Sequence, residues 1–424
     1  KIRSFIKHAY DYVCSKNNSD IFSNEILENL EIPYYIDALK YCHFPSSDDY
    51  DISNANFELG RQRFVIEELL AYKLLLLDAK KIYESNKSYA FNISEDAIND
   101  FIVSLPFALT ASQKNAISDI KNSFLKSYPT KRLIQGDVGS GKTIIAVIAS
   151  YFSKLSNLQT GILVPTEILA DQHTNTFKKI FSGFPVKIEC LKSNLTPREK
   201  SRIIESVQSG DTDILIGTHS IIQDNVRFLN LGLIIVDEQH KFGINQRALL
   251  TLKNSENPSI PHELYLSATP IPRSLSLVLY EGLDYTIISE SPKNRKTINT
   301  QMIDHDKRSI LHDNISKILH DKEQVYWVCS CIDYTESSES EYVQGIYEDL
   351  SNRFATTSIG MLHGRVDSKE NIKTMKKFVS GEIQILVCTT MIEVGVDVAN
   401  ATCIVIEDPN RFGLSQLHQL RGRV

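Results

Sequence analysis

Hydrophobic positions fall into two textures along the chain. From Ile2 to about Leu105 they recur at helical spacing, and in "FVIEELLAYKLLLLDAKKIYE" (64–84) they run nearly all round the centre with charge at the ends. Such a helix is either buried or bridges between bodies. The stretch "HFPSSDDYDISN" (43–54) is rich in turn residues and predicts a loop. After Leu105 short β-branched runs take over: "RLIQ" (132–135), "GILVP" (161–165), "DILIG" (213–217), "LGLIIVD" (231–237) and "ELYLSA" (263–268). Helix-length segments separate them, the pattern of a parallel α/β sheet.

A second set follows the polar stretch "SESPKNRKT" (289–297): "NTQMI" (299–303), "QVYWVC" (324–329), "SIGML" (358–362), "QILVCTT" (384–390) and "TCIVIE" (402–407). The two sets share a plan. "TPREKSRIIESVQSGDTDILIGTH" (196–219) reads as a Thr cap with Pro197 behind it and Glu199 three on, then a helix, Ser-Gly, an aliphatic strand and a Thr. "DSKENIKTMKKFVSGEIQILVCTT" (367–390) repeats that order from an Asp cap. The expected fold class is α/β: a helical region over 1–105, then two tandem parallel-sheet domains over 106–288 and 289–424.

Composition changes this picture little. The 424 residues are 42% hydrophobic and 23% charged, enough for two or three ordinary cores. The run Leu74 to Leu77 is too short to span a bilayer, and "KIRSFIKHAYDYV" has no signal-peptide core, so no membrane is expected. A first residue of Lys rather than Met predicts further residues upstream. The seven cysteines form no CxxC pair and read as thiols in a reducing compartment. A net charge of −6 argues against a globally basic coat, while leaving room for a local basic groove.

Chemistry concentrates after the texture changes. "GDVGSGKT" (Gly136, Asp137, Val138, Gly139, Ser140, Gly141, Lys142, Thr143) lies between a strand and a helix, as a phosphate-binding P-loop requires. Its glycines let backbone N–H groups approach phosphate oxygens at the positive end of the helix. Lys142 would reach the β- and γ-phosphates and Thr143 would hold Mg²⁺. "LIIVDEQH" (233–240) ends a strand in two carboxylates, Asp237 for the metal and Glu238 for the attacking water. In "LTASQ" (109–113), Thr110 and Gln113 form a capping box, or Gln113 reads adenine with Phe107 packed on the base. Ser267 and Thr269 in "LSATPIPRS" either bond the metal-site carboxylates or belong to a Pro-stiffened turn. Thr166, Thr218 and His219 sit just past strands, where hydroxyls and helix starts suit phosphodiester contacts or helix capping.

"GDVGSGKT", "VPTEILADQH", "GTHSIIQD", "VDEQHKFGINQR", "SATPIPRS", "HGRVDSKE" and "TTMIEVGVDVANA" occur in the order of a superfamily 2 helicase. Within it the chain resembles the RecG family of bacterial branch-migrating DNA translocases. The Phe-Gly after the DEQH box, the "LPFALTASQ" lead-in and the upstream "ALKYCHFP" and "RQRFVIEELLAYKL" carry that resemblance. A duplex translocase of the transcription-repair coupling type is the alternative, with a box that usually reads DEEH. A nucleotide-sensing scaffold without turnover is the rival class.

The resemblance implies two RecA-like domains with ATP and Mg²⁺ between them. Gln239, His240, Ser267 and Thr269 would couple the halves. Gly395, Asp397 and Arg423 would approach the nucleotide, and Thr389 and Thr390 would join the DNA contacts. It implies work on branched double-stranded DNA: forks, Holliday junctions and R-loops. It further implies single-stranded DNA-binding protein as a candidate partner, a monomer, and the bacterial cytoplasm. The family's sixth motif, Gln-x-x-Gly-Arg-x-x-Arg, matches Gln419, Gly422 and Arg423, so its last arginine is expected two residues beyond Val424. A wedge domain before Lys1 and a hairpin region after Val424 are expected on the same ground.

Overall fold

The computed structural model describes residues 2–16, 19–44, 50–238, 242–243, 250–251, 253–254, 259–268, 283–290, 298–304, 307–329, 336–363, 368–389, 398 and 400–424. They form two compact units, one centred on residues 1–83 and one holding the described residues from Glu84 to Val424.

The first unit is helical: α1 (Ile2–Lys16), α2 (Asn24–Leu30), α3 (Tyr35–His43) and α4 (Tyr50–Glu84). Its keystone is Arg63 on α4, fully buried, which donates to Asp20 at 2.7 Å, pairs with Glu67 at 3.1 Å and lies over the Phe22 ring. Asp20 also accepts the backbone N–H groups of Phe22 and Tyr35, so one carboxylate joins α4 to the start of α3. The predicted loop is shorter than 43–54, because α4 already begins at Tyr50, with Asp51 at the favourable end of the helix dipole. Within α4, Leu76 is buried while Leu69, Leu70, Leu74, Leu75 and Leu77 are exposed, so it is not a buried helix.

The second unit continues with α5 (Glu95–Ser104), α6 (Ala111–Phe124), β1 (Lys131–Gly136), α7 (Lys142–Leu155), β2 (Gln159–Leu163), α8 (Glu167–Ile180), β3 (Ile188–Leu191), α9 (Pro197–Gln208), β4 (Ile214–Gly217), β5 (Leu231–Asp237), β6 (His262–Ser267) and β7 (Asp284–Ile288). These strands form one sheet in the order β3-β4-β2-β5-β6-β1-β7, every pair parallel. Then come α10 (Arg308–His320), β8 (Gln324–Val328), α11 (Glu336–Arg353), β9 (Ile359–Leu362), α12 (Ser368–Val379), β10 (Ile385–Cys388), β11 (Ala401–Ile406) and α13 (Leu414–Arg421). The second sheet is also parallel, ordered β11-β8-β10-β9.

α7 is buried from Ile144 to Ser153, which explains its nearly unbroken apolar sequence. Phe91, Ile98, Phe101 and Leu105 join the same core, so the segment before α6 packs on the first sheet. Buried His262 fastens it: Nε2 bonds the Tyr89 carbonyl at 2.8 Å, and Nδ1 accepts from the Thr130 N–H at 3.2 Å. Burial pushes this imidazole down to about 4, so it is neutral.

The repeat in the sequence is a repeat in hydrogen bonding. Gln159 opens β2 and its amide donates to the carbonyls of Val207 and Thr212, on either side of the Ser-Gly turn after α9. Gln324 opens β8 and donates to Phe378 and Ile383, on either side of the Ser-Gly turn after α12. Gly210 and Gly381 adopt the same left-handed conformation, φ 81° and 83°.

Three strand assignments differ from the sequence reading. "NTQMI" is not a strand; it joins neither sheet, and its Met302 is 91% exposed. β3 and β7 were not predicted, because they are short edge strands with polar residues among the aliphatic ones. No helix among the described residues is long and apolar enough to cross a membrane.

Candidate active site

β1 delivers the chain to a tight loop that opens α7. Gly139 and Gly141 have φ of 76° and 85°, a conformation that other residues adopt only under strain. At Gly141 a side chain would also strike Gln113 Nε2 at 2.3 Å. Within the loop, the Ser140 hydroxyl is buried without a hydrogen-bond partner among the described residues. Lys142 Nζ donates to the carbonyls of Gly136 and Asp137 at 2.8 and 2.9 Å, folded over its own loop. Burial lowers the pKa of this ammonium although Asp237 and Glu238 pull it upward.

Gln113 holds the loop from behind. Its Oε1 accepts the Thr110 N–H at 2.9 Å, completing the predicted capping box, and its Nε2 donates to the Ser140 carbonyl at 2.9 Å. The amide therefore braces the P-loop, with Phe107 half-exposed in the lead-in segment.

β5 ends in Asp237, and Glu238 just after it has φ of 51°, strained for a residue with a side chain. Asp237 Oδ1 accepts the Glu238 N–H at 3.0 Å, and Oδ2 bonds His173 Nε2 at 2.9 Å. Burial alone would raise the Asp237 pKa; the hydrogen bond and charge of His173, with Lys142, bring it below its ordinary value. Glu238 moves the other way, pushed up to about 7 by burial and by Asp237. One carboxylate is fixed as an anion and its neighbour is poised to exchange a proton near neutrality, the separation that acid–base chemistry uses.

The last helix reaches this cluster from the second sheet. His418 Nε2 bonds Asp137 Oδ1 at 2.8 Å, and a side chain at Gly422 would meet Val138 at 2.6 Å. Arg423, nearly buried, acts electrostatically on both Lys142 and Glu238. Lys142, the Asp237–Glu238 pair and Arg423, from three distant parts of the sequence, thus share one electrostatic environment, with Thr143 in the first turn of α7.

Other predicted residues spread along the strand ends. Thr166 follows β2 and caps α8, and Thr218 follows the neighbouring β4 without a side-chain cap. His219 is exposed, its ring edge-on to Phe242, and Thr389 is buried after β10. Ser267, buried, ends β6 in register with Gln135 of β1. Gln239, His240, Thr269, Thr390, Gly395 and Asp397 lie outside the described residues.

His173 and His418 escaped the sequence reading. His173 follows Thr166 by seven residues, which puts both on one face of α8, but nothing local points to Asp237. No group of three His, Cys, Asp or Glu among the described residues could hold a metal ion alone. Mg²⁺ takes one or two protein oxygens and completes its shell with phosphates and water, and the Asp237 carboxylate, held ionised, is a donor that would fit it.

The DEAD/DEAH box helicase family matches residues 110–278, and the helicase conserved C-terminal domain matches 306–424. The ATP-dependent DNA helicase RecG of Haemophilus influenzae is 38% identical, over 94% of this chain and 58% of the relative. RecG of Bacillus subtilis is 37% identical, over 100% of this chain and 61% of the relative. The chain thus spans about three-fifths of the length of these relatives. A solved structure of RecG bound to a three-way DNA junction aligns with a TM-score of 0.79 and 36% identity, over 96% of this chain and 52% of that one. Mss116p bound to single-stranded RNA aligns at 0.58 and 17% identity over 78% of this chain and 70% of that one, a likeness of fold.

Proposed function

The chain belongs to the RecG-like superfamily 2 helicases, and we propose that it is the ATP-driven motor of a protein that remodels branched double-stranded DNA. The observation that carries this is the cluster of Lys142, Asp237 and Glu238 with Arg423 of the second sheet beside them. Such a site changes when the two sheets move relative to each other, which is what a motor needs.

ATP lies with its phosphates on the P-loop, where the backbone N–H groups of Gly136 to Thr143 and the start of α7 receive negative charge. Lys142 exchanges its two loop carbonyls for phosphate oxygens. Thr143 and the ionised Asp237 would hold Mg²⁺, which would supply positive charge to screen the phosphates during transfer. Glu238, deprotonated, orients the attacking water and takes its proton. Gly395, Asp397 and Arg423 complete the nucleotide site, with Gln239, His240, Ser267 and Thr269 relaying its state. Phe107 serves the adenine side, while the Gln113 amide braces the P-loop behind it.

Thr166, Thr218, His219 and Thr389 contact DNA phosphates, because they follow the C-terminal ends of the interior strands β2, β4 and β10, and Thr390, next in sequence to Thr389, joins them. The RecG structure bound to a three-way DNA junction supports branched DNA as the substrate; forks, Holliday junctions and R-loops, single-stranded DNA-binding protein as partner, a monomer and the bacterial cytoplasm complete the reading. The test is ATPase activity of the full-length protein with forked, linear duplex and single-stranded DNA. Stimulation greatest with forks is expected, and equal stimulation by all three would remove branched DNA from the account.

A further inference from the structure

Asp237 is held on both oxygens, and the His173 contact on Oδ2 comes from another element, α8. A carboxylate only accepts, so His173 Nε2 carries the proton. The imidazole has little freedom: it is 6% exposed and stands edge-on to Phe177, one turn further along the same helix. α8 is fastened in turn by Lys192 to Asp171 at 2.6 Å and by the Ser193 N–H to Glu167 at 2.9 Å. Its cap is Thr166, at the end of β2 and next to the end of β4 that carries Thr218.

A helix of 14 residues moves as a rigid rod, so displacement at its cap reaches His173 two turns on. We propose that His173 is the positioning residue for Asp237, and that α8 carries the occupancy of the strand ends to the metal carboxylate through it. This rests on the reading of Asp237 as a metal ligand and of Thr166 and Thr218 as DNA contacts. Hydrogen-bond partners of metal ligands fix ligand orientation, and their loss costs about 10–100-fold in metal affinity.

The experiment measures binding of a fluorescent non-hydrolysable ATP analogue to the full-length protein as Mg²⁺ is titrated, with and without duplex DNA. In the wild type, DNA shifts the Mg²⁺ midpoint. H173L keeps the bulk and loses the donor: its midpoint rises about 10–100-fold, DNA no longer shifts it, and Mg²⁺-free binding stays at the wild-type level. H173Q places an amide nitrogen near the Nε2 position and restores both midpoint and DNA response.

An unchanged midpoint in H173L overturns the proposal. So does an equal loss of Mg²⁺-free binding and thermal stability, which would make His173 a packing residue. Should H173L fail to fold, H173Q against H173N makes the same comparison, since asparagine stops short of Asp237; equal midpoints would overturn it. Absence of Mg²⁺-dependent binding in the wild type would instead sink the reading of the site itself.

Discussion

His418 of α13 bonds Asp137 of the P-loop at 2.8 Å, joining the last helix of the second sheet to the first loop of the first. Both side chains are partly exposed, so water screens the pair. A double-mutant cycle with His418→Ala and Asp137→Ala on nucleotide affinity should give a coupling of about 0.2–1 kcal/mol. Strict additivity would mean that the contact does not bear on the site.

The two carboxylates at the end of β5 should separate by role. Glu238→Gln keeps Mg²⁺–ATP binding and stops turnover, because the amide cannot accept a proton. Asp237→Asn weakens Mg²⁺-dependent binding itself. Identical behaviour of both variants in binding and turnover would show the assignment to be wrong.

Glu238 also predicts a pH profile. With its pKa pushed up to about 7, kcat/KM should fall about tenfold per unit as pH drops below 7. An ordinary carboxylate would leave the rate flat to about pH 5. A profile without a break near 7 would remove Glu238 as the base.

His262 governs stability in acid. Its folded pKa lies near 4 against 6.5 for the free imidazole, so the unfolded chain binds the proton first. Stability is full above pH 6.5 and falls as pH drops toward 4, by about 3 kcal/mol in all. Urea denaturation of wild type and His262→Gln at pH 7 and 5 checks this; the variant should lose less between the two.

Much of this was legible from the residues, and the failures have physical causes. The capping boxes at Thr110 and Thr196 were readable because a cap depends on neighbours three residues apart. The repeated turn after α9 and α12 was readable for the same reason, but not the glutamines that grip it. Gln159 and Gln324 lie 48 and 54 residues from the Val207 and Phe378 carbonyls they hold. Val207 and Phe378 also accept from the Gly210 and Gly381 N–H groups, so replacing either glutamine by Ala leaves one buried carbonyl, of Thr212 or Ile383, without its donor and should cost about 1–3 kcal/mol. His173 stayed hidden for a like reason, since 64 residues separate it from Asp237.

The central claim is that the Lys142 cluster hydrolyses ATP to drive movement on branched DNA. Its most direct test is Lys142→Ala in the full-length protein, followed by ATP turnover and fork unwinding beside a fork-binding assay. The account predicts that turnover and unwinding vanish together while fork binding persists, since no other cation in the loop can reach the γ-phosphate. Turnover at the wild-type rate in this variant would contradict it.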